Sequence, residues 1–195
     1  SGTQTNWIGG LLGWNSGATV RQSSSSGTVL GGVGAQSVGG LVGNNSSRAG
    51  IENSQSSSAV AGTSNLGGLV GFNDGVIAGS RANGAVSRTI ITGSNTAGGL
   101  VGSNASSGII QGSFATGSVS GDLTGGLVGA NHGIVSASYA TGAATGAGST
   151  GGLVGQNSGT VSSSYSSGAV KGNTAGGLIG ANLGLAEDVY TIGTV

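Results

Sequence analysis

The heptapeptide GGLVGAN, residues 125–131, decides the fold because close copies of it recur along almost the whole chain. Two glycines, two apolar residues, a third glycine and an asparagine form a poor helix and a poor phosphate-binding loop. Seven copies begin at Gly9, Gly39, Gly67, Gly98, Gly125, Gly151 and Gly176. An asparagine follows each copy, at Asn15, Asn45, Asn73, Asn104, Asn131, Asn157 and Asn182. We interpret the motif as a structural repeat rather than a ligand site.

The spacing of the copies predicts a solenoid. Their first glycines are 30, 28, 31, 27, 26 and 25 residues apart, a period typical of stacked repeats. Short runs that alternate small and apolar residues indicate strands, and no segment keeps a helical period. The sequence therefore predicts an all-β parallel β-solenoid of about seven coils of 25–31 residues. We expect three short strands per coil and a single domain over residues 1–195, which is a fragment or a filament subunit.

Stacking assigns a role to each part of the motif. The leucines form an inward column at Leu11, Leu41, Leu69, Leu100, Leu127, Leu153 and Leu178. The glycines let opposing walls approach and supply positive φ at the corners. Each asparagine amide bonds to the backbone and to the same residue one coil away. Extra residues before a double glycine, as in residues 87–97, mark a turn between coils.

Composition excludes several functions. The chain has 195 residues with 46 Gly, five basic and five acidic residues and no Cys, so nucleic-acid binding, disulfides and thiolate metal sites are not expected. No apolar run is long enough for membrane insertion. His132 falls in a turn. Glu187 and Asp188 are adjacent, so their side chains point to opposite faces of a strand. We expect Arg21 and Glu52 to form a surface ion pair. We predict no enzyme, no cofactor and no metal.

Two surface columns are candidate binding sites. Small side chains form a flat outward face at Ser26, Thr28, Ser57, Ala59, Asn83, Ala85, Thr116, Ser118, Thr141, Ala143, Ser167, Ala169 and Thr194. Such a face is typical of ice-binding solenoids and also of ordinary polar β-surfaces. Aromatic residues form a ladder at Phe114, Tyr139, Tyr165 and Tyr190. That ladder either stabilises the stack or offers a platform for sugar rings.

A third candidate surface is apolar. By strict alternation the residue after each leucine faces outward as an association stripe, at Leu12, Val42, Val70, Val101, Val128, Val154 and Ile179. A bend at the glycines would bury the same residues. Uncapped coil edges recruit further strands, so we expect self-association end to end or sideways. The sequence does not distinguish between a glycan, a protein and ice as the surface ligand.

The units GGLVGANHGIVSASYATGAA, residues 125–144, and GGLVGQNSGTVSSSYSSGAV, residues 151–170, resemble the GLUG motif. That repeat belongs to large bacterial surface and secreted proteins, including filamentous-haemagglutinin-like adhesins. The resemblance covers nearly the whole chain. It implies a right-handed β-helix and a stalk-like or adhesin role at the cell surface. It also implies an extracellular location, reached after removal of an export signal that this chain does not contain.

Overall fold

The computed structural model describes residues 6–89 and 95–195, and these residues form a β-solenoid of seven turns. Residues 90–94 of the turn predicted at 87–97 lie outside the described residues, as do residues 1–5. Every strand pairs in parallel with its copies in adjacent coils, on both sides within a sheet and on one side at the ends of a sheet. The described ranges contain strands, turns and bends but no helix. The all-β, parallel solenoid prediction is confirmed.

Five sheets, A to E, run along the axis. Sheet A contains Asn6–Gly9, Ala35–Gly39, Asn65–Gly67, Thr96–Gly98, Leu123–Gly125, Ser149–Gly151 and Thr174–Gly176. Sheet B contains Leu12–Asn15, Val42–Asn45, Val70–Asn73, Val101–Asn104, Val128–Asn131, Val154–Asn157 and Ile179–Asn182. Sheet C contains Thr19–Arg21, Gly50–Glu52, Val76–Ala78, Ile109–Gln111, Ile134–Ser136, Thr160–Ser162 and Leu185–Glu187.

The two remaining sheets complete each coil. Sheet D contains Ser24–Ser25, Gln55–Ser56, Arg81–Ala82, Phe114–Ala115, Tyr139–Ala140, Tyr165–Ser166 and Tyr190–Thr191. Sheet E contains Thr28–Leu30, Ala59–Gly62, Val86–Arg88, Val119–Gly121, Ala144–Gly146 and Val170–Lys171. The prediction of three strands per coil is wrong, since a full coil has five. The strands are interrupted at the double glycine and at the corner before sheet D, so segments that the sequence pattern treats as one strand are two.

A left-handed residue makes the corner between sheets C and D in every coil. The φ angles are 48° at Gln22 and Asn53, 57° at Gly79, 55° at Gly112, 48° at Ala137, 47° at Ser163 and 51° at Asp188. Left-handed backbone costs a residue other than glycine about 1–2 kcal/mol. Glycine occupies only two of these seven corners. At the other five, the surrounding packing must offset the cost of the left-handed backbone.

The motif glycines permit close approach and do not make left-handed corners. None of them has a φ in the left-handed region, so that part of the prediction is wrong. A Cβ on Gly126 would overlap the carbonyl oxygen of Gly152 one coil away, and it would lie 3.0 Å from the Cβ of Ala140 in sheet D. The coil is therefore pinched at the double glycine, where sheet D approaches the wall made by the motif.

This pinch separates two hydrophobic clusters. The larger cluster packs the motif leucines of the second to seventh coils and the residues after them against the Ile and Val column of sheet C, as Leu127, Val128 and Val135 illustrate. The inward prediction is wrong for Leu11, which is exposed in the first coil. The smaller cluster lies between sheets A and E and includes Leu66 and Val86. Each of the second to fourth coils therefore contributes to two cores. Both clusters continue from coil to coil, which ties each repeat to its neighbours.

Candidate functional surfaces

Asparagine side chains form a column through all seven coils, buried in the first six coils and exposed at Asn182. The Nδ2 of each one except Asn182 donates to the Oδ1 of the asparagine one coil further on, over 2.9 Å for Asn15 to Asn45 and 2.8 Å for the other five pairs. Most of these amides also donate to a nearby backbone carbonyl, as Asn104 does to Gly108. The predicted coil-to-coil amide bonding is confirmed, and the amides of this column are used in hydrogen bonds that hold the coils together.

Serines at the start of sheet D form a second internal column. The backbone N–H of each donates to the Oγ of the serine one coil further on, over 3.1 Å, from Ser23 through Ser54, Ser80, Ser113 and Ser138 to Ser164. Each hydroxyl donates in turn to the carbonyl two residues earlier in its own chain segment, at 2.7–3.0 Å. These hydroxyls therefore serve the fold and are not free nucleophiles.

The predicted apolar association stripe lies in the interior. Val42, Val70, Val101, Val128 and Val154 are fully buried, and Leu12 and Ile179 in the end coils are half-buried. The prediction of an outward stripe is wrong because the backbone turns at the glycine and leucine between sheets A and B. Alternation counts only within one strand, so Leu127 and Val128 can both point inward.

A different apolar column is exposed on sheet C. Its members pair coil to coil in the order Thr19, Gly50, Val76, Ile109, Ile134, Thr160 and Leu185. Val76, Ile134 and Leu185 are exposed and Ile109 is half-buried. The sequence contains a signal for this column, because each of these residues directly precedes a core position of the Ile and Val column.

The Ser, Thr and Ala residues of the predicted outward face are exposed, apart from the half-buried Ser167. They stack in two rows whose backbone groups bond coil to coil, as Thr141 does to Ala115 and Val119 does to Ala143. The rows flank the connection between sheets D and E, so they do not lie on one sheet. Ice binding by this face stays a prediction.

The aromatic ladder forms a continuous stack. Ring centroids are 4.8 Å apart for Phe114 and Tyr139, 5.0 Å for Tyr139 and Tyr165, and 5.2 Å for Tyr165 and Tyr190, with interplanar angles of 3–7°. Each inner ring is therefore covered on both faces by its neighbours. Because a sugar stacks on the face of a ring, this geometry favours the stabilising role, and carbohydrate binding here stays a prediction.

Charged side chains are scattered. Arg21 Nε lies 2.9 Å from Glu52 Oε2, as the column pattern predicts, and both side chains are exposed. His132 is exposed in its turn. The sequence columns do not predict the ion pair between Arg88 and Asp122, whose side chains are much less exposed. Among the described residues, no three His, Cys, Asp or Glu side chains cluster as metal ligands would.

A cleft at the first three coils contains both tryptophans of the chain. The ring centroids of Trp7 in sheet A and Trp14 in sheet B are 5.4 Å apart, and the rings are tilted by 45°. A depression of about 510 Å³ surrounds the pair, and a second of about 240 Å³ shares Trp7 and extends to Phe72. Sequence reasoning missed this site because the motif position of Trp14 and Phe72 holds smaller residues in the other coils, and Trp7 lies in another sheet.

A scan against family models and a search of curated proteins both found no match to this chain. The resemblance to the GLUG repeat therefore stays a prediction based on the motif. Within residues 6–89 and 95–195, no helix is long and apolar enough to cross a membrane.

Proposed function

We propose that this chain is a non-enzymatic structural module, a stiff β-solenoid segment of an adhesive stalk or fibre outside a bacterial cell. The observation that carries the proposal is the uninterrupted asparagine column, with its six amide hydrogen bonds. The extracellular location and the adhesive role rest on the resemblance to the GLUG repeat.

Stiffness follows from how the hydrogen bonds are arranged. Sheets A to E surround the axis, and their bonds run along it from coil to coil. Bending the solenoid in any direction lengthens the bonds of at least one sheet, while the asparagine column resists from within. Seven coils at about 4.8 Å per coil rise about 30 Å, so a long stalk requires many such segments in line.

Force spectroscopy tests the structural role. Because the chain has no cysteine, Ser16→Cys with Ser158→Cys places two handles at exposed turns of the first and sixth coils. A structural module should resist axial force and then rupture cooperatively. The same pair with Asn104→Ala is the matched variant and should rupture at a lower force. Gradual extension at low force in the parent protein would contradict the proposal.

The partner that we propose for this segment is a second copy, stacked end to end. Asn182 in the last coil does not donate to another asparagine, and Asn15 in the first coil does not accept from one. Arg21 and Glu187 occupy the same sheet C column at opposite ends of the solenoid. When two copies stack in register, the Asn182 amide of one faces Asn15 of the other, and Glu187 faces Arg21. The contact also covers the exposed side chains of Leu185 and Tyr190.

Light scattering tests this contact over a wide range of protein concentrations. Glu187→Arg places an arginine of one copy against Arg21 of the next, and it should therefore reduce the average molecular mass. Adding Arg21→Glu to that variant should restore association in part, because opposite charges face each other again. Asp74→Arg, in a turn of the third coil away from both ends, is the control for charge. If Glu187→Arg leaves the mass unchanged, the end-to-end contact is wrong.

A further inference from the structure

We propose that the cleft lined by Trp7, Trp14 and Phe72 binds a neutral oligosaccharide. This site is separate from the structural columns and from the predicted aromatic ladder. Both depressions lie on the outside of sheets A and B and share Trp7, so they form one groove across the first three coils.

The register of sheet B sets the dimensions of the groove. Trp14 pairs with Asn44, and Asn44 pairs with Phe72. The two aromatic residues are therefore two coils apart, about 10 Å, with an amide midway between them. A ligand that contacts both rings must be longer than one sugar unit and must lie roughly along the solenoid axis.

The fold does not require large aromatic residues at these positions. The same sheet B column continues with Ser103, Ala130, Gln156 and Ala181, which adopt the same strand geometry. The side chain of Trp14 is also largely in solvent, since the residue is 54% exposed. Large apolar rings that are exposed and dispensable for packing are typical of binding sites.

The open arrangement of the tryptophans distinguishes them from the tyrosine stack. The Trp7 and Trp14 rings are tilted by 45° and both line the depression, whereas the stacked tyrosines cover one another's faces. An open aromatic face attracts the apolar C–H face of a sugar ring, and an indole N–H can donate to a hydroxyl.

The polar side chains of the groove match the hydroxyl groups of a neutral sugar. Gln36, Asn44 and Asn65 line it, and amides both donate and accept. Among described residues, Gln36 and Asn44 make no side-chain hydrogen bond, while Asn65 Oδ1 accepts from Thr96 over 2.6 Å. No charged residue within 6–89 and 95–195 lines either depression, which favours an uncharged glycan over an acidic one.

Tryptophan fluorescence reads this groove alone, because Trp7 and Trp14 are the only two tryptophans in the chain. The probes are soluble cello-, malto- and chito-oligosaccharides of several units, with an oligogalacturonate as the acidic comparison. Titration in the Glu187→Arg background keeps end-to-end stacking from changing the signal. At least one neutral oligosaccharide should give a saturable change, while its monosaccharide and the oligogalacturonate should not.

Substitutions copied from later coils test the contacts without endangering the fold. Phe72→Ser, which matches Ser103, and Asn44→Ala, which matches Ala130, keep both fluorescent reporters. Phe72→Ser should weaken binding about tenfold or more and Asn44→Ala several-fold. Phe114→Ala, in sheet D, should leave the affinity unchanged. No saturable response to any neutral glycan, or equal binding by Phe72→Ser, would overturn the proposal, as would tighter binding of the oligogalacturonate.

Discussion

The side-chain amide of Asn104 donates to Oδ1 of Asn131 over 2.8 Å, and both residues are fully buried one coil apart. The same bond recurs from the first coil to the last and always runs in the same direction. Sequence spacing alone places these two residues 27 positions apart, so a short core contact joins two repeats that are distant in sequence.

Breaking this column in its middle should be costly. Asn104→Ala leaves the Asn131 Oδ1 without its donor and takes the acceptor from Asn73. At about 1–3 kcal/mol for each unsatisfied buried group, we expect a loss of about 3 kcal/mol or more in the free energy of unfolding. Asn182→Ala, at the exposed end of the column, should cost less than about 1 kcal/mol. Chemical denaturation measures both, and equal losses would contradict a central role for the buried members.

The left-handed corner offers a route to a more stable protein. Ala137→Gly relieves a φ of 48° and should raise the free energy of unfolding by up to about 1 kcal/mol, after the entropy of glycine in the unfolded chain is counted. Gly112→Ala should lower it by about 1 kcal/mol from backbone strain alone, since its Cβ would meet nothing closer than Gly79 N at 4.0 Å.

The control for these corner variants is an exposed alanine without a left-handed φ. Ala143→Gly should lower stability by about 0.5–1 kcal/mol, opposite in sign to Ala137→Gly. Thermal unfolding of the three variants distinguishes backbone strain from a general effect of glycine. Destabilisation by both glycine substitutions would show that the corner residue is not strained.

One buried hydroxyl has no bonding partner. Ser25 Oγ is shielded from solvent and makes no hydrogen bond to any residue that the structure describes. Alanine occupies the same column at Ala82, Ala115 and Ala140. Ser25→Ala should therefore be neutral or raise the free energy of unfolding by about 1 kcal/mol.

Ser166 is the matched control in that column. Its Oγ donates to the Gly177 carbonyl over 2.6 Å, so Ser166→Ala should lower the free energy of unfolding by about 1 kcal/mol. Denaturant titration compares the two variants. If both lose the same stability, hydrogen bonding does not distinguish the two hydroxyls.

The first glycine of each motif should tolerate no side chain. A Cβ at Gly125 would overlap the carbonyl oxygen of Val128 and lie 2.7 Å from Gly155 N. Because both obstacles are backbone, Gly125→Ala should abolish cooperative folding. Gly32→Ala, where a Cβ meets nothing within 4 Å, should change stability by less than about 0.5 kcal/mol. Circular dichroism melts of the two variants make the comparison, and a native-like melt for Gly125→Ala would contradict the close approach.

Features that repeat with the coil can be predicted from the sequence. Leu127 and Asn131 recur at one phase, so their inward position and coil-to-coil contact follow from spacing. The left-handed corner repeats too, but it holds Gln22, Asn53, Ala137, Ser163 and Asp188 as well as glycine. Because no residue type marks that corner, the break between sheets C and D has no sequence signal, and the predicted strands are too few.

Val128 shows a second limit of pattern reasoning. Its outward prediction extends the alternation of one strand through a backbone turn, where alternation no longer applies. The tryptophan groove shows a third limit, because it joins the sheet B column of Trp14 and Phe72 to Trp7 of sheet A, across three coils. Such a site depends on the three-dimensional path of the coil and cannot be read from repeat spacing.

The uniform asparagine column also bears on how such a chain evolves. A gene duplication that adds one whole repeat inserts a coil whose asparagine, leucine and glycines meet the same partners as before. Recombination between repeats can therefore lengthen or shorten the solenoid without new compensating substitutions in the core. The outward positions then diverge freely, and a pair of tryptophans can arise on one coil while the interior stays the same.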